Sequence, residues 1–126
     1  MDLREGDYIE RAWSVVQRPD SLLLCLVRRN GIWGLIGEAR RFGQIGCLRI
    51  ARPVKVSRTA SLGVLNLKAR REVRNVLKAL RAEPGLVSEF PVQGDRRAAA
   101  LRLETAGWRL TVEDDAGEAG EKKGEV

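Results

Sequence analysis

SLLLCLVRRNGIWGLIGEARRFGQIGCLRIA, residues 21–51, supports two incompatible foldings, and the choice between them decides the architecture of the whole chain. On one reading Leu35 to Ala51 is a helix: Ile36, Ala39, Gly43, Cys47 and Ile50 recur at helical spacing, and the run stops before Pro53. Against it stand glycines at 37, 43 and 46, each costing on the order of 1 kcal/mol relative to alanine inside a helix. On the other reading Asn30-Gly31, set between LLLCLVRR and IWGLIGEA, is a hairpin turn, because this dipeptide accepts the left-handed backbone that a two-residue loop demands. The sequence downstream favours the helix, since it supplies the elements that a first helix would support.

NLKARREVRNVLKALRAE, from Asn66 to Glu83, is amphipathic at 100° per residue. Ala69, Val73, Val76, Leu77 and Leu80 share one arc, which predicts the core face. Arg71, Arg74, Asn75 and Lys78 fall opposite, with Arg70 and Arg81 at the edge. Asn66 is placed to cap the helix and Pro84-Gly85 to stop it. Upstream, Ser57 precedes a short apolar-periodic segment (Ala60, Leu62, Val64, Leu65) and a tight link at Asn66-Leu67. Two helices joined this closely pack at an angle, the geometry of a helix-turn-helix. Downstream, LVSEFPV, the turn QGD and RRAAALRL read as two strands of a hairpin whose tip carries Arg96 and Arg97. The expected fold is therefore α+β: a winged helix-turn-helix, with a three-helix core and a C-terminal β-hairpin wing. The expected division is an N-terminal extension at 1–34 that adds core or forms a dimer, the winged-helix domain at 35–112, and an acidic tail at 113–126.

GLV at 85–87, DRR at 95–97, Leu103 and Gly107 resemble the wing motif of the multiple-antibiotic-resistance regulator (MarR) family of winged-helix transcription regulators. The resemblance implies that the helix from Asn66 to Glu83 enters the DNA major groove while Arg96 or Arg97 reaches backbone or minor groove. Roughly residues 35–110 can be laid along the winged-helix pattern, with the wing its specific part; the long terminal helices through which that family dimerises have no counterpart after residue 112.

The charge points the same way. Residues 113–126, EDDAGEAGEKKGEV, hold six acids and two lysines, which leaves 21 basic and 11 acidic residues in 1–112. Lacking apolar periodicity, that tail is expected to be disordered, as a solubilising terminus or an acidic competitor for the basic face. From Arg40 to Arg81 there are twelve Lys or Arg against one acid, Glu72. Such density predicts a polyanionic partner, because each cation set beside a phosphate releases a condensed counterion. The N-terminus, MDLREGDYIER, lacks the basic head and apolar body of a secretory signal, and no apolar run reaches the ~18 residues of a membrane span, so a cytoplasmic protein is expected.

The chain has no histidine, which excludes Ser-His-Asp and Cys-His catalysis and leaves a neutral-pH proton shuttle without its usual agent. Glu38, Glu72 and Glu89 are isolated, and no Gly-Lys-Ser/Thr follows the glycines of GIWGLIG. No enzyme, cofactor or metal site is expected. Cys25 and Cys47 read as buried thiols rather than a disulfide or zinc ligands. Few Asn and Gln, three of each, hint at a thermophile-like composition.

The expected function is nucleic-acid binding, as a duplex DNA-binding transcription regulator and possible homodimer. Lys68, Arg70, Arg71, Arg74, Asn75 and Lys78 would face the groove, where Asn reads adenine and Arg reads guanine bidentately, while Arg58, Arg96 and Arg97 hold phosphates. Two alternatives stand beside it. One is a single-stranded DNA or RNA binder in which strands from 21 to 56 form a curved sheet and Trp13, Trp33 or Trp108 stack on bases. The other is a non-catalytic protein-interaction subunit.

Overall fold

A computed structural model describes residues 2–4, 6–42, 46–92 and 111–113. A short strand β1 (Asp2–Arg4) precedes an antiparallel meander of β2 (Tyr8–Gln17), β3 (Asp20–Arg29), β4 (Ile32–Arg40) and β5 (Cys47–Pro53). One helix, α1 (Leu62–Leu80), crosses the sheet and a 3-10 turn, Pro84–Leu86, leads into β6 (Val87–Pro91), which pairs antiparallel with β2. The resulting sheet has five strands in the order β5-β4-β3-β2-β6, and β1 pairs in parallel with β7 (Thr111–Glu113).

This is mostly β, and the winged-helix expectation is overturned together with the MarR-like architecture that the wing motif implied. The stretch 21–51 takes its second reading. Leu22 to Val27 are all buried, as a continuous apolar run is when a strand is covered on both faces. Leu22, Leu24 and Leu26 join the core beneath α1, while Leu23, Cys25 and Val27 join a second cluster with Leu3, Ile9, Ala12 and Val92 on the other face. Asn30 and Gly31 form the turn with φ of 53° and 78°, as the two-residue hairpin requires. Gly37, a penalty in a helix, is what lets β4 lie close to β3: a Cβ there would come within 2.7 Å of Leu24 Cδ2 and closer still to the Leu23 carbonyl oxygen. The segment cannot supply a first helix because its glycine serves strand approach.

Nor is there a helix-turn-helix among the described residues. Asn66 and Leu67 lie inside α1, because the apolar stripe Leu65, Ala69, Val73, Val76, Leu77 and Leu80 runs through the expected link without a break. Every residue assigned to the core face of the basic helix is buried. The cap is Ser61, whose Oγ accepts from the Val64 N–H at 3.3 Å, and not Asn66. Arg81 ends the helix with φ 57°, and the Ala82 N–H returns to the Leu77 carbonyl at 2.8 Å. Ser61→Ala should cost about 1 kcal/mol of stability in denaturant unfolding; an unchanged midpoint would show that the sheet alone holds this end.

LVSEFPV is likewise bound into the main sheet, and its expected hairpin partner RRAAALRL lies outside the described residues. Val87–Pro91 closes the β2 edge of the sheet, in register from Val15↔Val87 to Arg11↔Pro91. Arg96, Arg97 and the acidic tail beyond Glu113 lie outside the described residues, while Glu113 itself ends β7. Cys25 is buried and Cys47 exposed, and neither forms a disulfide, so Cys47 departs from the buried-thiol reading. Burial pushes the Cys25 thiol up to about 12. The Cys47 thiol, 3.2 Å from Glu38 Oε2, is also raised, first by that hydrogen bond and then by partial burial.

Candidate nucleic-acid interface

The pleat of the sheet builds the site. Residues two apart on β3 share a face, so Arg28 lies on the α1 side with Leu22, Leu24 and Leu26. Its cross-strand partners are Tyr8 on β2 and Trp33 on β4. The guanidinium carbon of Arg28 sits 5.1 Å from the Tyr8 ring centroid and 5.3 Å from that of Trp33, within cation-π range of both. Arg28 and Tyr8 are exposed and Trp33 half-buried against the core. A ring, a cation and a ring thus form one row across three strands. The neighbouring Glu10 carboxylate and, to a smaller degree, burial raise the Tyr8 phenol above its ordinary value while Arg28 pulls it down, so the ring stays neutral at physiological pH.

The helix is oriented by contacts at its two ends. Lys68 Nζ donates to the Lys55 carbonyl at 2.9 Å, and the Glu83 N–H donates to Gln17 Oε1 at 2.9 Å. Gln17 ends β2 and Lys55 follows β5, so the N-terminal half of α1 lies at the same end of the sheet as Tyr8, Arg28 and Trp33. The Val54 N–H donates to the Trp33 carbonyl at 3.0 Å and carries the row to the rim of the sheet. Beside it opens a cleft of about 390 Å³ lined by Arg52, Pro53, Val54, Lys55, Lys68, Arg71 and Glu72.

On the opposite flank of α1 one carboxylate is shared by two arginines and offsets part of their charge. Glu89 Oε2 accepts from Arg11 Nη1 at 2.7 Å and from Arg70 Nη2 at 3.1 Å. Burial would raise the Glu89 carboxyl, but the hydrogen bonds from Arg70 and Arg11 outweigh it and hold the group below the usual carboxylate range. Positive charge is therefore left toward β5 and on the outer surface of α1, where Arg71, Arg74, Asn75 and Lys78 are exposed.

Of the residues singled out by sequence, Lys68 and Arg71 line the cleft, Arg74, Asn75 and Lys78 occupy the outer helix surface, and Arg70 turns toward β6. Arg58 is exposed in the connection before α1. Trp13 is buried beneath the helix and has no surface on which a base could stack; Trp108 lies outside the described residues. Tyr8, Arg28, Arg52 and Lys55 were missed. A signal for Arg28 and Trp33 existed, because a two-residue loop at Asn30-Gly31 sets them directly opposite each other.

Among the described residues no three His, Cys, Asp or Glu come together as metal ligands, and no helix is long and apolar enough to cross a membrane. Comparison with protein families, with curated proteins and with solved structures finds no significant match, so nothing there supports the resemblance of the wing motif.

Proposed function

We propose that this chain binds single-stranded nucleic acid, acting in the cytoplasm as a binding module rather than an enzyme. The observation that carries the reading is the Tyr8, Arg28 and Trp33 row at the edge of a basic band, with Tyr8 and Arg28 exposed and Trp33 half-buried. Unpaired bases offer π-faces that stack on such rings whatever their sequence, and the band supplies cations along the backbone. Duplex bases are already stacked and give the row nothing to hold.

The test is binding of oligothymidylate and oligouridylate against a matched duplex. Trp33→Ala should weaken single-strand binding by about 5- to 150-fold, the value of one base–aromatic stack at roughly 1–3 kcal/mol. Duplex binding of equal strength that ignores Trp33 would overturn the proposal. It would favour a second reading, a duplex-reading regulator, whose support is the exposure of Arg71, Arg74, Asn75 and Lys78 on one helix surface. Absence of any salt-sensitive binding to nucleic acid would point instead to a protein-interaction subunit.

A further inference from the structure

We infer that the cleft between β5 and α1 is a phosphate seat, in which Arg52, Lys55, Lys68 and Arg71 together hold one phosphate group of a strand whose bases lie on the Tyr8, Arg28 and Trp33 row. The identity of the strand rests on the single-strand reading above. The seat itself rests on a separate ground, the convergence of unbalanced charge on a cavity.

The four cations come from two elements that the fold brings together. Arg52 pairs with Leu35 and so points to the α1 side of the sheet, and Lys55 follows where the chain leaves β5. Lys68 and Arg71, three apart, are neighbours on one flank of α1. All four line the cleft, against one carboxylate, Glu72. Glu72 Oε1 is 3.9 Å from Arg52 Nη1, too far for a hydrogen bond, so Arg52 keeps its donors for a ligand. Lys68 Nζ donates one of its three N–H groups to the Lys55 carbonyl at 2.9 Å, which fixes the ammonium at the rim and leaves two donors for a ligand. Like charges gathered this closely repel one another until an anion joins them. Phosphate oxygens match both the planar arginine fork and the lysine point charge, and about 390 Å³ is room for the group with some of its water. Because Val54 is tied to Trp33 by a backbone hydrogen bond of 3.0 Å, the seat and the row hold a fixed spacing. A base stacked on Trp33 places the adjoining backbone at the cleft.

Two measurements on the full chain test this. In the first, inorganic phosphate is titrated at constant ionic strength while the side-chain N–H signals of Arg52, Arg71 and Arg18 are followed by NMR; Arg18 is exposed in the β2–β3 turn at the far end of the sheet. Arg52 and Arg71 should shift together and saturate, and Arg18 should not. In the second, the salt dependence of oligothymidylate binding is compared for the parent, Lys68→Gln/Arg71→Gln and Arg18→Gln. The double variant should lose about 0.7 of the log–log slope, the share of one single-strand phosphate, and Arg18→Gln none. Phosphate shifts spread equally over the three arginines, or an unchanged slope in the double variant, would overturn the seat while strand binding stands. Saturable shifts at Arg52 and Arg71 in a chain that binds no strand would uphold the seat and remove the single-strand reading. Both substituted side chains are exposed, and the phosphate titration needs no variant.

Discussion

Replacing Arg29 with alanine is expected to destabilise the protein by about 3–5 kcal/mol, the cost of leaving a buried charge without its partner. Asp7 lies between β1 and β2 with its carboxylate almost sealed from solvent, the side chain being 1% exposed. Arg29, at the end of β3, grips it with both arms of the guanidinium: Nε donates to Oδ1 at 2.8 Å and Nη2 to Oδ2 at 2.7 Å. The Arg4 backbone N–H adds a third bond at 2.8 Å, and the Asp7 N–H returns to the Arg4 carbonyl at 3.0 Å. One carboxylate thus joins the first strand to the meander. Without Arg29 it keeps the backbone donor but loses its counter-charge. Urea unfolding reads the loss, and Asp7→Asn added to Arg29→Ala should recover part of it, since a neutral amide needs no cation. A single-variant loss below about 1 kcal/mol would mean that water reaches Asp7 freely and that the pair behaves as a surface ion pair.

Gly37→Ala should be the more disruptive of the two glycine changes that can be compared. Overfilling a packed core costs roughly 1–3 kcal/mol, more where backbone must move. Here the added methyl would come within 2.7 Å of Leu24 Cδ2 and 3.0 Å of Leu24 Cα, and it also meets the Leu23 carbonyl, so rotation of one side chain gives no escape. A loss of 3 kcal/mol or more is expected. Gly63→Ala, which meets only Ser61 Oγ at 3.7 Å in the first turn of α1, should be neutral or slightly stabilising. Thermal melts of the pair decide the matter: equal melting temperatures would mean that β4 can slide away from β3, and that its close approach is not needed.

The same glycine explains why the fold was only half legible in the sequence. The basic helix could be read because its buried positions, Ala69, Val73, Val76, Leu77 and Leu80, obey a local period that packing simply confirms. The stretch 21–51 carried two periods at once. Ile36, Ala39, Cys47 and Ile50 fit a helix, yet they belong to two strands, with Ile36 and Cys47 on the face away from α1 and Ala39 and Ile50 beneath it. What separates the readings is a tertiary fact, the nearness of Leu23 and Leu24 to Gly37, which no local spacing encodes. The wing motif failed similarly, because GLV and the strand after it suit a sheet edge as well as a hairpin. For the site, the charge of the helix was plain, but the aromatic row exists only through cross-strand register. Tyr8 and Arg28 meet because β2 and β3 pair across a bulge between Ile9 and Arg11, which the sequence gives no means to place.

The row also sets a division of labour in time. Arg28 is held between two rings on rigid strands, so its conformational freedom is lost during folding and not again on binding. Arg74 and Lys78 are long exposed side chains, and ordering each such chain costs up to about 2 kcal/mol. Fields from the exposed cations act at a distance and hasten encounter, whereas contacts already in place govern how long a bound partner stays. For the single strand proposed above, arrival should therefore belong to the helix and be sensitive to salt, and departure should belong to the strands and follow the stacking of rings.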